Sequence, residues 1–315
     1  MSLFTSFRYL VALHQHRHFG RAAQACHITQ PALSNAIRAL EEEFGTAIVK
    51  RGRTFEGFTH EGEKIFLTAQ RVLHEHELLR QDLTSTADQP VGSLTVAAVP
   101  SVMPVAARFA GMLQARHPGL SLVLRSMSSP DIEAGLEDLS LDLALGYTER
   151  LKSKAARIST VEQYSERYFL LRRSARPARS GLRVRTKTLP WADAAGLRLC
   201  LLTPEMHNRS IVDAAFGPAA ASIQPAIETN SILTLGLSVL VGDVCSILPG
   251  ALVDVLRSHG ELEAVPLDAP LVLTPIGFMF ATTDRPSRAL AAALAMARDD
   301  AWLEHLGAHT GLIES

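Results

Sequence analysis

The spacing of apolar residues changes once along the chain, near residue 90, and this change separates two parts of different fold class. Before it, apolar residues recur at every third or fourth position, which predicts helices. After Gly92, short apolar runs alternate with helical stretches, which predicts a doubly wound α/β sheet. Residues 84–90 (TSTADQP) are polar and predict a domain boundary. The predicted strands are residues 94–99, 120–124, 141–145, 197–202, 245–248 and 276–280.

The N-terminal part contains two short predicted helices joined by a tight turn. The first helix is short and Ala-rich and covers residues 21–26. Thr29 supplies an N-cap and Pro31 a first-turn proline for the second helix, which Gly45 ends. Two short helices in this order, with the second strongly capped, are typical of a helix-turn-helix.

A basic turn and a long amphipathic helix follow the predicted helix-turn-helix. Residues 47–49 and 55–59 are predicted as two short strands around the turn Lys50-Arg51-Gly52-Arg53, and together they form a β-wing. Residues 60–83 predict one helix with a single apolar stripe. Because an isolated helix of this kind needs a partner for its apolar face, we expect it to pair with the same helix of a second subunit.

Residues 19–43, FGRAAQACHITQPALSNAIRALEEE, resemble the N-terminal signature of the LysR-type transcriptional regulators. The resemblance rests on Ala22-Ala23, residues 29–34, residues 37–41 and a wing of matching length, and it extends more weakly through the rest of the chain. It implies an α/β protein in three parts. These are a winged helix-turn-helix DNA-binding domain (1–59), a dimerisation linker helix and hinge (60–90), and a periplasmic-binding-protein-like effector domain of two α/β subdomains (91–315; subdomain I about 91–166 plus 270–306, subdomain II about 167–269).

The second helix of the motif carries polar side chains suited to DNA reading. Gln and Asn amides can pair in bidentate fashion with adenine in the major groove, and a Ser hydroxyl accepts several partners. Thr and Arg side chains are better suited to phosphates, where they set the register. The short Asn35, where the family often carries a longer side chain, leaves the operator sequence open. The predicted DNA contacts are Thr29, Gln30, Pro31, Ser34, Asn35, Arg38, Arg51 and Arg53.

Hydroxyl and amide residues follow several predicted strands of the α/β part. In such folds, ligands lie at the carboxyl ends of strands and face helix N-termini, which favour anions. For any single residue, simple N-capping is an equally good interpretation. The resemblance implies that Ser101, Ser128 and Thr203 match effector-contacting positions, and a short carboxylic acid, even of formate size, is the suggested effector. The candidate effector contacts are Pro100, Ser101, Ser128, Ser129, Thr203, His207, Arg209 and Asn230.

Two alternatives to an effector-responsive regulator stay open. One branch of the family senses peroxide through a cysteine, but the resemblance places His207 at that position, while Cys200 and Cys245 lie in apolar runs that predict inert thiols. A DNA binder that responds to no ligand is the second alternative. The Arg-rich residues 172–185 are interpreted as a solvated loop.

Neither catalysis nor a cofactor is expected. No GxSxG, HExxH, P-loop or GxGxxG motif stands in a supporting context. His14, His16 and His18 alternate at a helix end, where they would point to different faces, so no metal site is predicted. The Cys residues are widely separated, without a CxxC pair, and no signal peptide or membrane span is evident.

These expectations define the partners of the chain. The net charge of −1 supplies no global attraction to nucleic acid, so DNA binding must come from the local surface. The expected partners are double-stranded promoter DNA, a small anionic effector and further copies of the chain in a dimer or tetramer. Contact with RNA polymerase is an open option, no membrane partner is expected, and the predicted location is cytoplasmic.

Overall fold

A computed structural model describes residues 2–50, 52, 54–85, 89–151 and 157–310 of the chain. The chain forms two compact units, one built chiefly from residues 1–86 and the other chiefly from residues 87–315. No helix among the described residues is long and apolar enough to cross a lipid bilayer.

The N-terminal unit is helical, as the apolar spacing predicts. Thr29 caps the third helix by accepting a hydrogen bond from the N–H of Ala32 at 3.3 Å, and Gly45 ends that helix with a φ of 64°. Leu10, Leu13 and Leu33 are among the fully buried residues around which the helices pack. The helices are α1 (Leu3–His16), α2 (Phe19–Ala25), α3 (Gln30–Phe44) and α4 (His60–Thr84).

The predicted wing strands are the main correction in this unit. In place of two strands, the structure has an isolated antiparallel bridge between Val49 and Phe58. Two further backbone hydrogen bonds, from the N–H of Lys50 to the carbonyl of Gly57 and from the N–H of Thr59 to the carbonyl of Ile48, extend the pairing. The predicted segments are too short to form a regular ladder, and Gly57, with a φ of 108°, interrupts the second one.

The C-terminal unit contains two mixed sheets, and the prediction of two α/β subdomains is confirmed. The strands are β1 (Gly92–Ala98), β2 (Leu120–Ser126), β3 (Leu143–Tyr147), β4 (Ile158–Glu166), β5 (Tyr168–Arg173), β6 (Arg183–Val184), β7 (Leu189–Pro190), β8 (Leu199–Leu202), β9 (Ile227–Thr229), β10 (Cys245–Pro249), β11 (Leu262–Asp268) and β12 (Thr274–Ala281). The helices are α5 (Met103–Arg116), α6 (Ser129–Glu137), α7 (Trp191–Ala195), α8 (His207–Phe216), α9 (Ile232–Val241), α10 (Gly250–Val255), α11 (Arg288–Met296) and α12 (Asp300–His309).

The strand order shows how the two subdomains are joined. The first sheet has the order β2-β1-β3-β12-β4, and the second has the order β6-β11-β5-β10-β8-β9, with β7 paired to β11. The chain therefore crosses from the first sheet to the second between β4 and β5, and it returns between β11 and β12. Glu166 ends β4 and Tyr168 begins β5, so the first crossing takes one residue.

Six strands escape the apolar-run prediction: β4, β5, β6, β7, β9 and β11. Of these, β6, β7 and β9 contain only two or three residues each, too few for an apolar run. The three longer strands were missed for visible reasons. One face of β4 is polar, β11 contains a Glu and a Pro, and β5 runs directly into the Arg-rich segment. The interpretation of residues 172–185 as a solvated loop is therefore partly wrong. Arg172 belongs to β5 and donates to Glu263 at 2.7 Å, and the pair Arg183–Val184 forms β6.

Candidate DNA-reading surface and effector cavity

The recognition helix α3 separates an apolar face from a polar one. Leu33, Ile37 and Leu40 are buried against α1 and α2. The predicted DNA contacts Thr29, Gln30, Pro31, Asn35 and Arg38 are exposed, and Ser34 is half-buried. Helical spacing therefore brings these predicted contacts to the exposed first turns of one capped helix, where they are free to meet base edges and phosphates. Arg51 and Arg53, also predicted as contacts, lie outside the described residues.

Within this surface, Arg38 lies beside Asn35. An Nη1 donor of Arg38 is 3.4 Å from the Oδ1 of Asn35, one helical turn away. The contact is long, so it holds the two side chains together only weakly. Asn35 therefore has an amide N–H group that remains available for a base.

The base of the wing is attached to the recognition helix by Glu41, which sequence reasoning used only as a signature residue. Its Oε1 atom accepts hydrogen bonds from the N–H groups of Ile48 at 2.8 Å and Val49 at 3.2 Å. On the other side, the Thr59 hydroxyl donates to the carbonyl of Ala47 at 2.6 Å and caps α4. One carboxylate and one hydroxyl thus tie the wing to α3 and to α4.

In the C-terminal unit, a small cavity of about 20 Å³ lies between the two subdomains. It is bounded by the ends of β1 and β3 on one side, and by the start of α8 on the other. Both α6 and α8 begin at this cavity, so it faces two helix N-termini. Its lining is Val99, Pro100, Ser101, Ser128, Ser129, Tyr147, Leu202, Met206, His207 and Asn208.

Five of the predicted effector contacts meet at this cavity: Pro100, Ser101, Ser128, Ser129 and His207. The Ser128 hydroxyl donates to the Asp131 carboxylate at 2.6 Å and accepts from the Asp131 N–H at 3.3 Å, so it also acts as a helix cap. The hydroxyl of Ser129 is buried, and the described residues offer it no hydrogen-bond partner. A buried polar atom without a partner is costly, and a ligand in the cavity would supply one.

Three predicted contacts are directed elsewhere. The Thr203 hydroxyl donates to Glu205 at 2.6 Å. The guanidinium of Arg209 is held by Asp213 and Glu228, at 2.8 Å each, and by the carbonyl of Leu202 at 2.7 Å. Asn230 lines a separate apolar groove between α5, α9 and α10. The predicted role of Arg209 as an effector contact does not fit this geometry, because acidic neighbours already hold its guanidinium.

Tyr147 is a polar cavity residue that sequence reasoning missed, and Asn208 is a further polar residue beside it. Tyr147 OH lies 2.8 Å from the hydroxyl of Ser101, and the amide of Asn208 donates to Tyr147 OH at 3.2 Å and to Tyr168 OH at 3.4 Å. Burial raises the pKa of Tyr147 well above its ordinary value. Tyr147 ends a strand at the same sheet edge as Ser101, and this position at the carboxyl end of a strand could have identified it as a cavity residue.

His207 closes the cavity from the side of subdomain II. Its ring makes an edge contact with Tyr147 at a centroid distance of 4.8 Å. An Nη1 donor of Arg150 lies 3.4 Å from Nδ1 of His207, and the Glu149 carboxylate lies 3.7 Å from Nε2. Because a guanidinium can only donate, a hydrogen bond between Arg150 and His207 requires Nδ1 to be the acceptor.

A helix-turn-helix with a wing, together with a two-subdomain α/β unit that encloses a polar cavity, defines a class of DNA-binding regulators with a ligand-binding domain. Comparison with known families agrees. Residues 4–63 match the bacterial regulatory helix-turn-helix protein, lysR family, and residues 87–302 match the LysR substrate binding domain. The chain belongs to the LysR family of transcriptional regulators, whose members are not enzymes.

Similar proteins include two curated bacterial regulators. The DNA-binding transcriptional dual regulator OxyR of Escherichia coli (strain K12) is 29% identical over 276 residues, which cover 86% of this chain and 87% of that protein. The SDS degradation transcriptional activation protein of a Pseudomonas species is 30% identical over 264 residues, covering 82% of this chain and 80% of that protein.

Solved structures give the same result for the fold. A full-length OxyR variant from Pseudomonas aeruginosa has a TM-score of 0.68 and 25% identity, and covers 94% of this chain and 97% of its own. CbnR, solved in complex with its target DNA, has a TM-score of 0.62 over 95% of this chain and 99% of its own. At 20% identity, the likeness to CbnR concerns the fold alone.

Proposed function

We propose that this LysR-type regulator reads promoter DNA through α3 and its wing, and that it alters transcription when a small anion binds between the subdomains of its C-terminal unit. The observation that carries the effector part is the convergence of two helix N-termini on a small cavity that contains the unpartnered hydroxyl of Ser129. Backbone N–H groups at helix N-termini and free hydroxyls together favour an anion.

The size of the cavity limits the effector. A volume of about 20 Å³ is close to the space that one water needs, so the closed form admits only a molecule of very few heavy atoms. We propose a short carboxylate, with formate as the smallest member. Its contacts are Pro100, Ser101, Ser128, Ser129 and His207, and we add Tyr147 and Asn208. A larger acid would bind only to a more open arrangement of the subdomains.

The DNA part of the proposal assigns base readout to Gln30, Ser34 and Asn35. Phosphate contacts are assigned to Thr29, Arg38, Arg51 and Arg53, with Pro31 in the first turn of the helix. We propose that the protein acts at the chromosome, in the cytoplasm. We propose that the exposed apolar residues of α4 pack against a second copy in a dimer or a tetramer, and that DNA-bound copies contact RNA polymerase. These α4 residues are Leu67, Val72, Leu79 and Leu83.

The DNA assignment is tested by the double substitution Gln30→Ala with Ser34→Ala. Loss of bidentate base contacts is expected to lower the ratio of operator to random-DNA affinity by about 10- to 100-fold. A matched control is Glu42→Ala, on the exposed far end of the same helix, which leaves the ratio unchanged. Fluorescence anisotropy with both DNAs measures the ratio, and undiminished discrimination by the double variant refutes the assignment.

The effector assignment is tested by Ser128→Leu, which places a bulky side chain in the cavity. Formate- and acetate-dependent changes in unfolding temperature and in operator footprint are expected to disappear, while DNA affinity without acid stays unchanged. The matched control is Ser287→Leu, because Ser287 caps α11 away from the cavity. A normal acid response in Ser128→Leu would place the pocket elsewhere.

A thiol-based redox response is the second candidate, favoured by similarity to regulators named hydrogen peroxide-inducible genes activator. The thiols of this chain count against it. Burial raises the pKa of Cys26, Cys200 and Cys245, and a raised pKa suppresses the reactive thiolate. The anion proposal therefore has the stronger support.

A further inference from the structure

Glu166 is a buried carboxyl at the point where the chain passes from the first subdomain to the second. Its exposed fraction is 0%. Oε1 accepts a hydrogen bond from Tyr164 OH at 3.1 Å, and the described residues offer Oε2 no hydrogen-bond partner. The structure records no ion pair between this carboxyl and any described Lys, Arg or His.

The groups that face Glu166 give its negative charge little compensation. They are Tyr164 on its own strand, Tyr147 at the end of β3, Tyr168 at the start of β5, and Glu149 in the turn after β3. On β12, the neighbouring position is the neutral Thr274. Three phenols and a second carboxyl thus surround the group. Burial raises the pKa of Glu166 to about 8, so the carboxyl is mostly protonated at neutral pH.

Glu166 lies behind the polar wall of the cavity. Tyr147 and Tyr168 share the amide of Asn208, and Tyr147 also contacts Ser101. An anion in the cavity and an ionised Glu166 would therefore be like charges on either side of Tyr147, in a region from which water is excluded. Such charges destabilise each other strongly because a buried environment screens them poorly.

We propose that Glu166 makes anion binding in this cavity conditional on a proton, so that the regulator responds to its effector only while this carboxyl is neutral. This inference rests on the proposed function of the cavity. The proton stays on Glu166, and no covalent step is involved. By linkage, anion binding in turn strengthens proton binding at Glu166, and the complex takes up protons from solution near the pKa of this group.

The arrangement has a stability cost that supports a functional role. The pKa of Glu166 in the folded protein, about 8, lies above its ordinary value of 4.5. The folded state therefore holds the proton more tightly than the unfolded state does. Its stabilising contribution is complete at low pH and is lost as pH rises toward 8. Glutamine would keep a hydrogen-bonding side chain without this loss, so the carboxyl is not the best residue for stability alone.

The first test needs no ligand and compares wild type with Glu166→Gln by unfolding temperature between about pH 5 and pH 9. The unfolding temperature of Glu166→Gln is expected to exceed that of wild type by an amount that grows as pH rises to about 8 and then levels off. The matched control is Glu162→Gln, an exposed residue on the same strand, which gives no pH-dependent difference. A constant difference for Glu166→Gln would show that Glu166 is ionised throughout, and it would overturn the inference.

The second test titrates wild type and Glu166→Gln with formate and with acetate by calorimetry. In wild type, the dissociation constant is expected to weaken about tenfold from pH 7 to pH 9, following the neutral fraction of Glu166. In Glu166→Gln the dissociation constant is expected to stay the same at every pH, within about twofold of the wild-type value at pH 7. Binding that is equally pH-independent in both proteins refutes the inference but leaves the anion site standing. No binding to either protein at any pH removes the proposed anion site and this inference with it.

Discussion

The two units of this regulator place their proposed functional residues in opposite environments. In the N-terminal unit, the predicted DNA contacts Gln30, Asn35 and Arg38 lie exposed on consecutive turns of α3. In the C-terminal unit, Ser101, Ser129 and Asn208 are buried and come from distant parts of the chain. A surface that meets a large rigid partner can be built outside the core, whereas a cavity for a small molecule has to be assembled within it. Changes at the cavity therefore affect stability and function together.

Charged residues show the same difference. The pair Glu77–Arg80 on α4 has a spacing of 3.6 Å and is well exposed. In the C-terminal unit, the buried carboxylate of Asp254 pairs with Arg108 at 2.7 Å, with Arg257 at 2.9 Å and with His309 at 2.9 Å. This hub joins α5, α10 and α12, so charges in this unit hold elements together.

The largest effect is expected for Gly62→Ala, and it would show that the N-terminal unit also contains positions that tolerate no substitution. A Cβ atom at Gly62 would lie 2.1 Å from the backbone carbonyl oxygen of Ile48. Because neither backbone segment can yield easily, Gly62→Ala is expected to destabilise this unit by about 3 kcal/mol and to abolish DNA binding. Hydrogen exchange, read separately for each unit, measures the loss.

The matched control for Gly62→Ala is Gly111→Ala in α5. A Cβ atom there meets no heavy atom within 4 Å. Alanine is the better helix former, so this variant is expected to be more stable by up to about 1 kcal/mol. Equal effects of the two substitutions would mean that the junction of wing and α4 is not tightly packed.

The second prediction concerns the charged hub. Asp254→Ala removes the buried member of the pairs, but Arg108 and Arg257 are 27% and 64% exposed and can regain water. We therefore expect a loss of about 2 kcal/mol, below the usual cost of breaking a fully buried pair. Denaturant unfolding of the C-terminal unit measures it. Glu77→Ala is the control for an exposed pair and should change stability by less than about 0.5 kcal/mol.

The difference between the units also explains what sequence reasoning could find. Thr29, Pro31 and Gly45 act on residues close to them in the chain, so caps and apolar spacing predict α3 well. The strands of the C-terminal unit that consist of apolar runs were also predicted, because an apolar run is a local signal too. The half-polar β4 was missed because one face of it lacks the apolar run that the rule requires.

The cavity was only partly predictable. Ser101 and Ser128 follow strands directly, and the edge rule for α/β sheets brings them together. Arg209 looked equally suitable in the sequence, but Asp213 and Glu228 hold it through contacts that only the fold reveals. The environment of Glu166 depends on residues from β3, β5 and β12, so no local pattern could identify that carboxyl as buried.

The third prediction concerns Glu41, which attaches the wing to α3. Glu41→Ala leaves the N–H groups of Ile48 and Val49 without their acceptor, at a cost of about 1 kcal/mol. If Glu41 positions the wing, the variant is expected to lose phosphate contacts there, so that the salt dependence of DNA binding becomes shallower by about one unit. Glu41→Gln keeps one acceptor and should restore much of the slope. Exposed Glu43→Ala is the control, and an unchanged slope in Glu41→Ala would limit Glu41 to a structural role.

The smallest expected effect is at the cysteines, on which the alternative redox interpretation depends. Burial is the main cause that raises the pKa of each thiol. Cys200 is fully buried in β8, and Cys245 lies opposite Leu199, not opposite Cys200, in the neighbouring strand. Because the thiolate is the species that reacts, peroxide is expected to change operator affinity by less than about twofold. The same result is expected after Cys200→Ala and Cys245→Ala, and anisotropy titrations before and after oxidation measure it. A larger peroxide response in wild type that disappears with Cys200→Ala would restore the redox interpretation, because it would show that this buried thiol reacts with peroxide.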